Sequence, residues 1–223
     1  MCRQLRQLCG EYTSEKSVVI SCAGIGSRLG LGLTKALVQI NGGSLISWQL
    51  KLFRNVEDLR LVIGFQGSEI IEEVRKYRDD VIFCYNQKYF ETKTGASFFL
   101  GARHGNNYSM EWDGDLLVHP EDVKMLLETD GEFICYSDKS SDEAVWVQTD
   151  EEGKVHAFSR ERGDYEWTGP ACISKANLTY SSQNVFNMFE PFLPMKGIKV
   201  RAYDIDTYND YLRVSEITRD WKI

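Results

Sequence analysis

Nowhere does this sequence hold an uninterrupted apolar run approaching the ~20 residues that span a bilayer, so no membrane is expected as a partner. The polar, mixed-charge start, MCRQLRQLCGEYTSEK, lacks the apolar centre of a signal peptide. None of the six cysteines (Cys2, Cys9, Cys22, Cys84, Cys135, Cys172) forms a C-x-x-C pair, which argues against a zinc knuckle or redox dithiol. Free thiols in a reducing cytoplasm are the simpler expectation. The three histidines (His104, His119, His156) have neither metal-ligand spacing nor a nucleophile partner. Positive charge is in short supply: 26 Lys and Arg against 33 Asp and Glu leave a net charge of −7. That excess argues against nucleic acid as the main partner, but a few local cations still suffice for an anionic small molecule. There is no repeat, low-complexity tract or long linker to divide the chain.

What is present is alternation. Val18–Ile20 reads as a short buried strand followed by a glycine-rich loop. The segment 43–54 has helical apolar spacing at Leu45, Trp48 and Leu52. Strands are expected at 59–65 and 80–86, with a helix at 68–77 opened by Ser68 as N-cap. A helix at 95–103 and a strand at 114–119, entered from the polar stretch NNYSMEWD, complete the first half. This order predicts a single α/β domain, a mainly parallel mixed sheet flanked by helices. After residue 130 the pattern turns to strands and hairpins, with a turn at 150–153. At 223 residues, such a domain buries roughly 70% of its unfolded surface and needs no disulfide or metal to stay folded.

The loop SCAGIGSRLGLGLTK, residues 21–35, carries glycines at 24, 26, 30 and 32. Leaving a first strand, such a loop turns its backbone N–H groups toward an oxyanion without side chains in the way. A dinucleotide fingerprint fits poorly, because Ile63-Gly64-Phe65-Gln66 supplies no acid for a ribose at the second strand's end. A P-loop needs G-K-[S/T], and Thr34-Lys35 reverses that order. Arg28 and Lys35 remain as two cations able to grip a triphosphate.

With those residues the chain resembles the Rossmann-like (MobA-like) nucleotidyltransferases, whose signature runs A-A-G-x-G-x-R-x-x-x-x-x-P-K. Here it stands as Cys22-Ala23-Gly24-Ile25-Gly26-Ser27-Arg28, continuing to Thr34-Lys35. The segment YNQKYFETKTGASFFLGAR, the WDGDLLV signature and the closing YDIDTYNDYLRVSEI are similar to further motifs of the family, in its order. Within it the likeness is closest to cytidylyltransferases of phosphocholine, phosphonates and related small phosphorylated compounds. Two positions depart from the pattern: Cys22 replaces the first alanine and Thr34 the proline before the lysine.

The resemblance implies a set of roles. Catalysis would fall to Arg28, on the β/γ end of the triphosphate, and Lys35, on the α-phosphate. The nucleotide would be held by Ala23, Gly24, Ile25, Gly26 and Ser27, with the base read at Gly95, Ala96 and Ser97. Asp115 and Asp206 would hold Mg²⁺ through hard carboxylate oxygens, with Asp113 beside them. Arg160 would take the acceptor's phosphate, and Trp167 would help line its pocket together with Trp112, Trp146 and Tyr165; such aromatics are more often ordinary core.

The implied reaction is Mg²⁺-dependent transfer from CTP to a small phosphorylated acceptor (phosphocholine-, phosphonate- or phospho-amino-acid-like), with pyrophosphate leaving. A sugar-1-phosphate nucleotidyltransferase is the alternative enzyme, and a non-catalytic nucleotide sensor on the same fold the alternative class. Residues 1–17 read as an N-terminal extension ahead of the domain at 18–223. Leu5 and Leu8 there fit either a packing or dimer helix or a frayed end, which leaves a homodimer open.

Overall fold

In a computed structural model the described residues are 16–26, 32–139 and 145–221. The expected extension over 1–17 lies outside them except for Lys16 and Ser17, which already belong to the first strand. Strand β1 (Lys16–Cys22) is buried along nearly its whole length. It lies between β4 (Leu59–Ile63) and β6 (Tyr108–Asp113), parallel to both. Beyond β4 the edge strand β5 (Ile82–Tyr85) is also parallel. On the other side of β6 the sheet turns mixed. β11 (Tyr165–Ser174) runs antiparallel to β6 and to β8 (Phe133–Ser137), while β12 (Met195–Lys199) is parallel to β8. β10 (Lys154–Ser159) and β9 (Trp146–Thr149) close a sheet of nine strands, ordered β5-β4-β1-β6-β11-β8-β12-β10-β9.

Alternation along the central strands sorts their side chains onto two covered faces. Val18, Ile20, Leu61, Met110 and Trp112 bury against helices α1 (Leu45–Leu52), α2 (Gly67–Arg75) and α4 (Pro120–Glu128). Val19, Val62, Ala171 and Ile173 face α3 (Thr94–Ala102) and the short 3-10 turns around residues 185–192. A third cluster joins Val38, Leu45, Trp48, Leu117 and Ile205 to Val214 of the last helix, α5 (Tyr208–Ile217). It ties the two-residue strands β2 (Gln39–Ile40) and β3 (Gly43–Ser44) to the pair β7 (Leu116–Val118) and β13 (Ala202–Asp204).

Two local expectations are corrected. The central strand is Tyr108–Asp113, inside the stretch that reads as polar, and 116–118 is a separate short strand paired with β13. The polar residues Ser109 and Glu111 misled because both faces of β6 are buried, so its alternation does not mark a solvent side. Helix α2 starts one residue early, with Gln66 and not Ser68 at the N-cap.

Candidate functional site

The strand ends β1, β4 and β6 converge where the glycine loop leaves β1. The loop is pinned at its start, where Ala23 O accepts from Phe65 N at 3.1 Å. Gly24 is exposed with open space beyond its Cα. Gly26 has φ +66°, and a Cβ there would stand 2.9 Å from Lys35 Cγ. Glycine therefore gives the backbone its left-handed turn and lets the lysine stem cross the loop. On the return limb Thr34 N donates to Gln66 Oε1 at 2.7 Å, and Lys35 opens a 3-10 turn over Lys35–Leu37.

The facing wall is the turn between β6 and β7. Gly114 N donates to Ser21 O at 3.0 Å. Any Cβ on Gly114 would lie 2.7 Å from that oxygen and 2.8 Å from Cys22 Sγ, so glycine is required by close approach. Gln49 of α1, fully buried, donates through Nε2 to Asp113 O at 2.9 Å and Leu116 O at 2.8 Å, bracketing Asp115. Ile205 N donates to Asp115 O at 3.1 Å, bringing Asp206 alongside.

Lys35 Nζ donates to Asp115 Oδ2 at 2.6 Å and also to Asp206 Oδ1. Burial alone lowers a lysine's pKa, but here the Asp115 charge and the bonds to both carboxylates outweigh it and hold the pKa up. Burial, reinforced by the Asp115 charge, pushes Asp113 up to about 7. Burial, then the charges of Asp115 and Asp113, also drives Asp204 upward. Glu111 is fully buried, pushed well up by burial and by Asp113, and no donor reaches its oxygens.

These walls enclose an open cleft of about 250 Å³, lined by Gly24, Gly26, Thr34, Lys35, Asp113 and Asp115 among others. Asp115 and Asp206 reach a common cation, so their spacing suits one metal ion. Among the described residues no three His, Cys, Asp or Glu side chains converge on a metal position. Two carboxylates with open positions fit Mg²⁺, which keeps waters and takes substrate phosphates.

The other expected site residues are placed as follows. Arg28 and Ser27 lie outside the described residues. Gly95, Ala96 and Ser97, the residues expected at the base, open α3 and are buried. Gly95 packs against the backbone of 181–183, where a Cβ would stand 2.7 Å from Gln183 O. Ala96 is buried, and Ser97 Oγ accepts from Asn86 Nδ2 at 3.0 Å. Thr94, the first residue of the segment expected to read the base, lines the cleft. Trp167 packs edge-on against Phe158 at 5.4 Å, and the exposed Arg160 lies 5.8 Å from the Phe186 ring, itself 5.3 Å from Phe158. These two residues thus share one aromatic patch. Two residues beyond Trp167, Gly169 abuts Asp113, with only 2.8 Å between a Cβ position and Asp113 Oδ2. Trp112 is core, perpendicular to Phe53 at 4.8 Å. Tyr165 stacks on Tyr136 at 4.6 Å, and Trp146 lies under Lys139. Gln49 and Gln66 were not legible as site residues, since glutamine carries no chemistry that marks it in a sequence.

Comparison with known proteins agrees with this layout. The MobA-like NTP transferase domain matches residues 18–173. Bifunctional protein GlmU of Sulfurimonas denitrificans is 27% identical over 120 residues, 53% of this chain and 27% of that protein. The chain thus spans about a quarter of the length of that curated relative. The inositol-1-phosphate CTP transferase of T. maritima superposes with TM-score 0.77 at 18% identity, over 95% of this chain and 99% of that one. CTP:phosphocholine cytidylyltransferase (LicC) of Streptococcus pneumoniae gives 0.70 at 18%, over 92% and 99%. A putative glucose-1-phosphate thymidylyltransferase of Bacillus anthracis gives 0.75 at 13%, over 93% and 97%. At these identities the structures establish the fold. Among the described residues no helix is long and apolar enough to cross a membrane. The match over residues 18–173, more than half of the chain, makes it a member of the MobA-like NTP transferase domain family.

Proposed function

We propose that this protein is a Mg²⁺-dependent cytidylyltransferase that joins CTP to a small phosphorylated acceptor and releases pyrophosphate. The observation that carries the reading is the meeting of Lys35 with Asp115 and Asp206 at the mouth of the glycine loop. Both reactants are anions, so the protein's work is alignment and charge neutralisation. The amides of Ala23 to Gly26 cradle the triphosphate, and Arg28 grips its β/γ end. Asp115 and Asp206 hold Mg²⁺, which when bound neutralises phosphate charge. Lys35 turns from the carboxylates to the α-phosphate as charge builds there. An acceptor phosphate or phosphonate oxygen, steered by Arg160 and Trp167, attacks the α-phosphorus. The bond from that phosphorus to the bridging oxygen breaks, and pyrophosphate takes the electron pair.

The choice of CTP rests on the resemblance and on the two CTP-using structural neighbours. The thymidylyltransferase neighbour favours the second reading, a sugar-1-phosphate nucleotidyltransferase. One assay separates them: pyrophosphate release with CTP, UTP, GTP and ATP against phosphocholine, 2-aminoethylphosphonate, a phosphorylated amino acid and hexose 1-phosphates. CTP should exceed UTP by roughly tenfold to a hundredfold in kcat/KM, the scale set by about 1–3 kcal/mol per unpaired polar group. A clear UTP or GTP preference would refute the cytidylyl assignment while leaving nucleotidyl transfer intact, and activity confined to hexose 1-phosphates would select the second reading.

A further inference from the structure

We infer that Gln66 is a positioning residue that sets the glycine loop, and through it Lys35, for the phosphates; this rests on the role proposed for Lys35. Three local features at Gln66 run against propensity. It is a non-glycine residue in the left-handed region, at φ 50° and ψ 38°, which costs an L-residue energy. It occupies the N-cap of α2, a place that favours Ser, Thr, Asp or Asn. Its side chain makes no capping bond. Such rule-breaking concentrates where a fold serves function.

The side chain instead reaches the loop 32 residues earlier, where Oε1 accepts from Thr34 N at 2.7 Å and Nε2 approaches Gly32 O at 3.5 Å. That contact falls directly before Lys35. Thr34 has φ −62° and ψ 141°, a φ that a proline ring would impose covalently. Thr34 has no such ring, and it keeps the N–H that a proline would lack. The loop therefore acquires its approach to Lys35 from a hydrogen bond supplied by α2. The left-handed turn at Gln66 is what aims the glutamine back across the loop.

Proline geometry at Thr34 makes a rescue test possible. Gln66→Gly removes the side chain and also relieves the left-handed strain, so its melting temperature should equal or exceed that of the parent. Its affinity for Mg²⁺–CTP and for magnesium tripolyphosphate, measured by calorimetry, should fall about tenfold. Adding Thr34→Pro restores the backbone angle without the bond and should bring both affinities back to within about threefold. Unchanged affinity in Gln66→Gly, or no recovery in the double variant, overturns the inference. Tripolyphosphate keeps the result independent of which base the enzyme prefers. Lys35→Ala in the same series separates the two claims. If its turnover with Mg²⁺ and CTP matches the parent's, the role of Lys35 itself fails; if its turnover falls while Gln66→Gly binds both ligands like the parent, only the role of Gln66 fails.

Discussion

At the scale of single residues, Lys35 is both the described cation nearest the cleft's carboxylates and the group expected to meet the nucleotide. An ammonium bridging Asp115 and Asp206 competes with any metal that uses the same oxygens. Lys35→Met should therefore bind Mn²⁺, in the absence of nucleotide, about tenfold more tightly than the parent. Turnover should drop by ~10²-fold or more, the scale for losing one electrostatic stabiliser. A Mn²⁺ titration followed by electron paramagnetic resonance reads the first effect; an unchanged affinity would mean that ion and ammonium use different oxygens. Gln49 acts at the same scale but through the backbone. Gln49→Leu leaves the Asp113 carbonyl without its side-chain donor, at about 1–3 kcal/mol, while Leu116 O keeps the Trp112 indole N–H at 3.3 Å. It should lower stability by roughly 1–3 kcal/mol in urea unfolding and raise the Mg²⁺ concentration needed for half-maximal turnover. A change in stability with the metal requirement intact would confine Gln49 to the fold.

Among the elements, α3 shows how closely helix and sheet are fitted. A Cβ on Gly101 would stand 2.4 Å from Val19 Cγ1 and 2.9 Å from Val62 Cγ2. Gly101→Ala gains about 1 kcal/mol of helix propensity, yet overpacking a close-fitted core costs typically 1–3 kcal/mol. The contact is far inside van der Waals distance, so overpacking should win, with a net loss of about 1–2 kcal/mol in urea unfolding. A gain in stability would mean that α3 can lift off the sheet. The strands and helices of the first half were legible because their apolar spacing is local. The placement of β6 was not, since a strand buried on both faces can hold Ser109 and Glu111 without showing a solvent side.

Across the whole molecule, the candidate site is assembled from both halves of the chain. Asp115 comes from the turn after β6, and Asp206 from the connection between β13 and α5. If both hold one ion, Asp115→Asn and Asp206→Asn should each slow turnover, and the double variant should lose much less than the sum of the two. Additive losses would separate their roles. Ligand binding should also register in global stability. At 100 times its dissociation constant, Mg²⁺–CTP contributes about 2.7 kcal/mol, or roughly 5–10 °C in melting temperature for a domain of this size. Mg²⁺ alone should give a much smaller shift, because Lys35 already bridges the carboxylates.

The sequence by itself determined the α/β class, the glycine loop and the lysine at its end, and its resemblance to the family pointed to the two aspartates. The first three depend on residue type and short spacing, which the chain carries locally. Only the tertiary structure decided which groups those residues meet. The bond from Gln66 to Thr34 joins positions 32 apart, and the clamp of Gln49 on Asp113 joins positions 64 apart. It also turned Gly95 and Ser97 into the fold and set Thr94 in the cleft. A helix's register against its neighbours is fixed by packing across the whole core, and a rotation by one residue, about 100°, exchanges a residue that faces ligand for one that faces the interior.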